Sequence, residues 1–153
     1  LVSGAIRQLL GDVMWGDLDY LIIDLPPGTG DPSITIAKEI PKMQVLMVTT
    51  PQEVALVDVR RAVELFEKMK RPVVGFIENM SYFQQPHSTE RLEVFGSGGG
   101  QKLSLETGLP LLGGIPLDMD ISKSGDNGVP LMISSPDSET AHIFLDIAMK
   151  IEK

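Results

Sequence analysis

Four short apolar runs punctuate this sequence at intervals that suit an alternation of strands and helices. They are Tyr20-Leu21-Ile22-Ile23-Asp24, Val45-Leu46-Met47-Val48-Thr49, residues 73–77 and residues 111–115. Each is apolar almost throughout rather than alternating, as in a strand buried on both faces. Helical spacing separates them. Residues 2–13 place Ile6, Leu9, Leu10 and Val13 on one side. Leu56, Val59, Val63 and Phe66 form a second stripe, with Asp58, Arg61 and Glu64 toward water and Lys68 and Lys70 near the negative end of the helix dipole. Residues 98–107 and 118–126 read as further helical stretches. A last helix is expected from Ser135-Pro136, burying Ala141, Phe144, Leu145, Ala148 and Ile151. The expected class is α/β, a mostly parallel sheet with helices on both faces and right-handed crossovers.

The length of 153 residues fits a single domain, residues 1–153, with room for a real core. A formal charge of −8 argues against a nucleic-acid surface, which needs clustered Lys and Arg. No apolar run approaches the roughly 20 residues of a membrane-spanning helix. Leu1-Val2-Ser3-Gly4 has neither the basic start nor the apolar block of a secretory leader. The sequence has no cysteine, so disulfides, thiolate metal sites and thiol nucleophiles within it are excluded, and a reducing, cytoplasmic setting is expected.

Parallel sheets bind ligands at the C-terminal ends of their strands, which singles out the loops after Asp24, Thr49, Ile77 and Ile115. Asp24 stands at such an end, where nucleotide hydrolases hold magnesium through a water molecule. Gly28-Thr29-Gly30 allows backbone amides to approach a phosphate. An apolar run ending in Asp before a Pro/Gly turn is also an ordinary way to finish a strand. Asp31 is expected to cap a short helix with Pro32 in its first position. Residues 80–97 read as a polar, irregular insertion.

The string Leu18-Asp19-Tyr20-Leu21-Ile22-Ile23-Asp24-Leu25-Pro26-Pro27-Gly28-Thr29-Gly30-Asp31 resembles the Mrp/ApbC branch of the deviant P-loop ATPases, relatives of the Min and ParA proteins. The resemblance continues through Thr49-Thr50-Pro51-Gln52, Glu78-Asn79-Met80-Ser81-Tyr82-Phe83, Phe95-Gly96-Ser97-Gly98-Gly99-Gly100 and Gly114-Ile115-Pro116-Leu117-Asp118. It implies a Rossmann-like P-loop NTPase that binds ATP and Mg2+, hydrolyses ATP and works as a nucleotide-bridged homodimer with iron–sulfur client or scaffold proteins. In its terms Asp24 resembles the Walker B acid, and Pro26, Gly28 and Gly30 the switch that senses the γ-phosphate. Asn79 resembles the amide that reads adenine, and Pro116, Leu117 and Asp118 the loop over the base. By themselves Asn79 reads as a turn residue and Pro116 as a strand end.

Two departures matter. The pattern Gly-x-x-x-x-Gly-Lys-Ser/Thr occurs nowhere here; near the glycine cluster the sequence runs Gln101-Lys102-Leu103. In the family that loop comes earlier than every motif quoted, so the N-terminal strand and P-loop are expected to lie outside these residues, leaving the chain by itself inactive. The resemblance also implies a Cys-x-x-Cys after Ser-Tyr-Phe that bridges a [4Fe-4S] cluster between subunits at residues 80–97. Gln85 and Ser88 stand at those positions, and neither suits iron as thiolate does. His87, between them, reads as a loop residue. Besides a cluster carrier, the sequence is therefore compatible with a cluster-free switch of the Min/ParA kind acting on a protein partner, or with an inert remnant.

Overall fold

Phe76 and Ile77 are consecutive residues of one strand, so their side chains point to opposite faces of the sheet, and both are buried. That single pair requires cover on both sides. The computed structural model, which describes residues 2–85 and 90–152, supplies it. Strands β1 (Val45–Thr49), β2 (Val73–Glu78) and β5 (Leu111–Gly114) form a parallel sheet in the order β1-β2-β5. On one face α3 (Glu53–Lys68) and α4 (Gly99–Thr107) pack Leu56, Val63, Phe66 and Leu103 against Val45, Met47 and Phe76. On the other, α7 (Glu139–Ile151) sets Ile147 against Ile77, Leu112 and Ile115. Burial of each such side chain contributes about 1.5–3 kcal/mol.

The α3 stripe falls where its spacing places it, with Leu56, Val63 and Phe66 buried and Val59 half-buried. Between Val45 and Leu46 the register with β2 slips, so that Leu46 faces Gly75. Gly75 has φ 152°, and a Cβ there would lie 2.5 Å from the Pro110 carbonyl oxygen. Only glycine lets β5 approach that closely.

The first apolar run departs from expectation. Residues 20–24 form no strand, and Tyr20, Leu21 and Ile22 are 68%, 43% and 92% exposed. A strand exists through its ladder, and among the described residues no neighbouring backbone pairs with this segment. Leu21 and Ile23 instead line an open apolar cleft of about 470 Å³ with Ile6 and Leu10 of α1 (Val2–Gly11) and with Trp15. Helix α1 rests on α2 (Asp31–Glu39), where Thr35 Oγ1 donates to Ser3 Oγ at 3.0 Å, and it has no buried residue of its own.

Three further boundaries shift. Gly30, not Asp31, is the N-cap of α2, and Asp31 becomes its first helical residue, where its charge still suits the positive end of the dipole. Residues 80–97 are not wholly irregular: β3 (Phe83–Gln84) and β4 (Arg91–Leu92) pair antiparallel. The last helix starts after Ser138, whose Oγ accepts the Ala141 N–H at 3.1 Å, because that cap satisfies an otherwise orphaned amide. Its buried face is Thr140, Ala141 and Ile147, whereas Leu145 is 46% exposed. Ahead of it lie α5 (Met119–Asp126) and the short α6 (Leu131–Ser134). Among the described residues no helix is long and apolar enough to cross a membrane.

Candidate functional site

Strands β2 and β5 end side by side, and the loops leaving them are laced together by backbone hydrogen bonds. The Ile115 N–H donates to the Glu78 carbonyl at 2.8 Å, Ser81 N–H to Ile115 at 3.0 Å, and Leu117 N–H to Tyr82 at 2.7 Å. From the β1 side, the Thr49 carbonyl accepts the Asn79 N–H at 2.7 Å. The backbone of Asn79 is therefore held between two neighbouring strand ends. Its side-chain Oδ1 accepts the Met80 N–H at 2.9 Å, closing a turn in which Met80 takes the left-handed φ of 54°. That leaves the side-chain NH2 as the group available to a ligand, a donor at the mouth of the sheet.

Pro116 is buried beside this turn, and Leu117 is 37% exposed. Asp118 is otherwise engaged. Its Oδ1 caps α5 by accepting the Asp120 N–H at 2.8 Å, and its Oδ2 accepts the Thr140 hydroxyl at 2.6 Å. Both oxygens therefore serve the fold.

The second arm of the expected site stands apart. Asp24 is exposed, with no hydrogen bond or ion pair among the described residues. Leu25 packs partly against the α3/α4 core and anchors the segment beside it. Pro26 borders the apolar cleft. Gly28, at φ 88°, makes a turn only glycine enters without strain, and its carbonyl accepts the Ser33 hydroxyl at 3.4 Å. Gly30 then opens α2. The structure thus brings Asn79, Pro116 and Leu117 together and holds Asp24, Gly28 and Gly30 on a separate loop.

The hairpin that follows the Asn79 turn is tied back to the domain. The Arg91 guanidinium lies 4.1 Å from the Tyr82 ring centroid, and its Nη2 reaches Glu139 Oε1, on the first turn of α7, at 3.4 Å. Burial pushes the Tyr82 hydroxyl above the usual phenol range, with Arg91 drawing it partly back. Tyr82 and Phe83 are both half-buried. Gln85 is exposed at the hairpin end, while His87 and Ser88 lie outside the described residues. Sequence reading missed Glu78, a buried carboxylate whose Oε2 accepts the Gly100 N–H at 2.6 Å. An acid directly preceding Asn79 on an apolar strand is the only hint the sequence offers.

These donor sets fit two implied groups and not a third. An amide NH2 on a loop laced to the one that carries Pro116 and Leu117 suits the polar edge of a purine. Asp24, alone among carboxylates in its loop segment 24–30, suits magnesium held through water rather than a cage of protein ligands. A [4Fe-4S] cluster does not fit: Gln85 and Ser88 offer no thiolate, and no cysteine occurs elsewhere in the chain.

Comparison with known proteins identifies the family. Residues 1–152 match the sequence model of the ParA family described as NUBPL iron-transfer P-loop NTPase. The chain is 46% identical over 151 residues to the iron–sulfur cluster carrier protein of Pyrococcus furiosus, covering 99% of this chain and 51% of that protein. It is 40% identical over 153 residues to the mitochondrial iron–sulfur protein required for NADH dehydrogenase of Arabidopsis thaliana, covering 100% of this chain and 49% of that one. It thus spans about half the length of these relatives. The nucleotide-binding protein of Archaeoglobus fulgidus, solved with ADP, superposes with a TM-score of 0.76 at 38% identity, over 90% of this chain and 56% of that chain. The septum site-determining protein MinD of Pyrococcus horikoshii, solved with Mg-ADP, shares the fold at 22% identity with a TM-score of 0.70, over 99% of this chain and 56% of that chain. On the strength of the match over residues 1–152 and of relatives above 40% identity, this chain belongs to the NUBPL-type iron-transfer P-loop NTPases of the ParA family.

Proposed function

We propose that the protein binds and hydrolyses ATP in the service of iron–sulfur cluster assembly, as a nucleotide-bridged homodimer in the cytoplasm. The observation that supports this most is the Asn79 turn, whose Oδ1 is taken by the Met80 N–H while its NH2 has no partner among the described residues, at two laced strand ends. The amide donates to a ring nitrogen of adenine, and Leu117 lies against the base. Asp24 would hold the magnesium ion, which when bound would neutralise charge on the phosphates. Pro26, Gly28 and Gly30 follow the γ-phosphate, since glycine turns move without steric penalty. The 153 residues contain no phosphate-cradling Gly-Lys-Ser/Thr motif, so the chain alone is expected to be inactive and the full-length protein active.

Cluster cargo meets a chemical obstacle. Relatives are named cluster carriers, yet Gln85 and Ser88 supply no thiolate. This substitution favours a second reading, a cluster-free ATP switch that regulates a protein partner. The deciding experiment is anaerobic reconstitution of the full-length protein with iron and sulfide, alongside ATP turnover and ATP-dependent dimerisation. Turnover with ATP-dependent dimers and well under one cluster per dimer selects the switch. A stable dimer holding about four irons, lost on changing Gln85 and Ser88, selects the carrier. No binding of ATP by the full-length protein sinks both.

A further inference from the structure

Glu78 is a buried carboxylate, 7% exposed, that none of the chemistry above uses. It sits where four segments meet. Its own carbonyl accepts from Ile115 N–H and from the Ser81 hydroxyl, each at 2.8 Å. Its side chain accepts the Gly100 N–H at 2.6 Å, in the first turn of α4. That turn is pressed into the strand ends so closely that side chains are excluded. A Cβ on Gly99 would come within 2.9 Å of Pro51 Cα, and one on Gly100 within 2.8 Å of Leu111 Cδ1 and 3.1 Å of Glu78 Cβ. Gly98, at φ 72°, supplies the left-handed entry into the helix. The glycine run that is no phosphate loop thus has a different use: it lets α4 dock end-on against a carboxylate.

We propose that Glu78 is a positioning residue for base recognition, locking the N-terminus of α4 to the strand ends and so fixing the backbone from which Asn79 projects; this rests on the nucleotide reading above. The physical reason is leverage. Asn79 follows Glu78 directly, and its N–H is already held by Thr49. The Glu78 side chain then stops the β2 end from sliding relative to α4, and a free helix amide finds its acceptor inside the protein. Removing the acceptor leaves the Gly100 N–H buried and unpaired, which loosens the contact from the α4 side.

The test compares Glu78→Ala, Glu78→Gln and wild type in the full-length protein. Each is assayed for ATP and pyrophosphate binding and for amide exchange over residues 79–82 and 98–100. Glutamine keeps an acceptor oxygen and should stay within about twofold of wild type, while alanine weakens ATP binding by about fivefold or more. Pyrophosphate affinity stays level, and exchange in both segments rises in the alanine variant. If that variant does not fold, Gly100→Ala, which forces the same surfaces apart, replaces it with the same expected signature. Wild-type ATP affinity in Glu78→Ala, equal loss of ATP and pyrophosphate, or a glutamine variant as impaired as alanine overturns the proposal. A wild-type protein with no preference for ATP over pyrophosphate would instead defeat the nucleotide reading. In that case unchanged exchange at 79–82 in Glu78→Ala overturns the positional lock as well, and raised exchange upholds the lock itself.

Discussion

The Thr140 hydroxyl donates to Asp118 Oδ2 at 2.6 Å, joining the loop after β5 to a buried position in α7. Because the other carboxylate oxygen caps α5, Asp118 secures the loop from behind. Asp118→Ala is expected to destabilise the protein by about 1–3 kcal/mol, through a lost cap and a stranded hydroxyl. The Asp118→Ala/Thr140→Val double variant should cost less than the two single effects added, since both changes break the same bond. Chemical denaturation of the single and double variants measures this. Full stability in Asp118→Ala combined with weakened ATP binding would return its side chain to the ligand.

Asp24 makes the opposite prediction. It is exposed and has no partner among the described residues, so Asp24→Ala should leave the unfolding midpoint unchanged. Loss of an electrostatic element in the active site lowers turnover by on the order of 10²–10³. ATP hydrolysis by the full-length variant is the measurement, and turnover near that of wild type removes Asp24 from the site.

At Asn79 two substitutions separate two roles. Aspartate keeps an oxygen for the Met80 N–H and removes the NH2 donor; alanine removes both. If the amide reads adenine, both variants should lose about 1–3 kcal/mol of ATP affinity without losing pyrophosphate. If Asn79 only shapes the turn, Asn79→Asp binds ATP as wild type does.

The contact between α3 and α4 carries a pH signature. Its hydrogen bond with Arg60, 2.7 Å from guanidinium Nε to Oε2, holds Glu106 below the usual carboxylate range. A carboxylate whose folded value is depressed contributes stability above its unfolded value and loses it as pH falls through the folded one. Glu106→Gln should therefore lower the melting temperature slightly at neutral pH, and the difference from wild type should vanish in acid. Both groups are solvent-accessible, so the effect should also fade with salt. A difference that persists below the carboxylate range would mean the glutamine disturbs packing instead.

Much of this molecule follows from its sequence alone. The runs at Val45–Thr49, Val73–Glu78 and Leu111–Gly114 and the α3 stripe fall where apolar periodicity puts them, because burial is a local demand on each segment. Asn79 and Pro116 were legible as strand-end residues for the same reason, and the order of motifs singled them out. Tertiary structure decided the rest. Residues 20–24 are as apolar as any strand here, yet they form none, because a ladder is a relation between segments and composition names no partner. The duty of Asp118 to Thr140 spans 22 residues, and so does the grip of Glu78 on Gly100. No periodicity records such pairs. They exist only once parallel strands and their crossover helices have brought distant loops to one end of the sheet, where a carboxylate meets whichever donor the fold delivers.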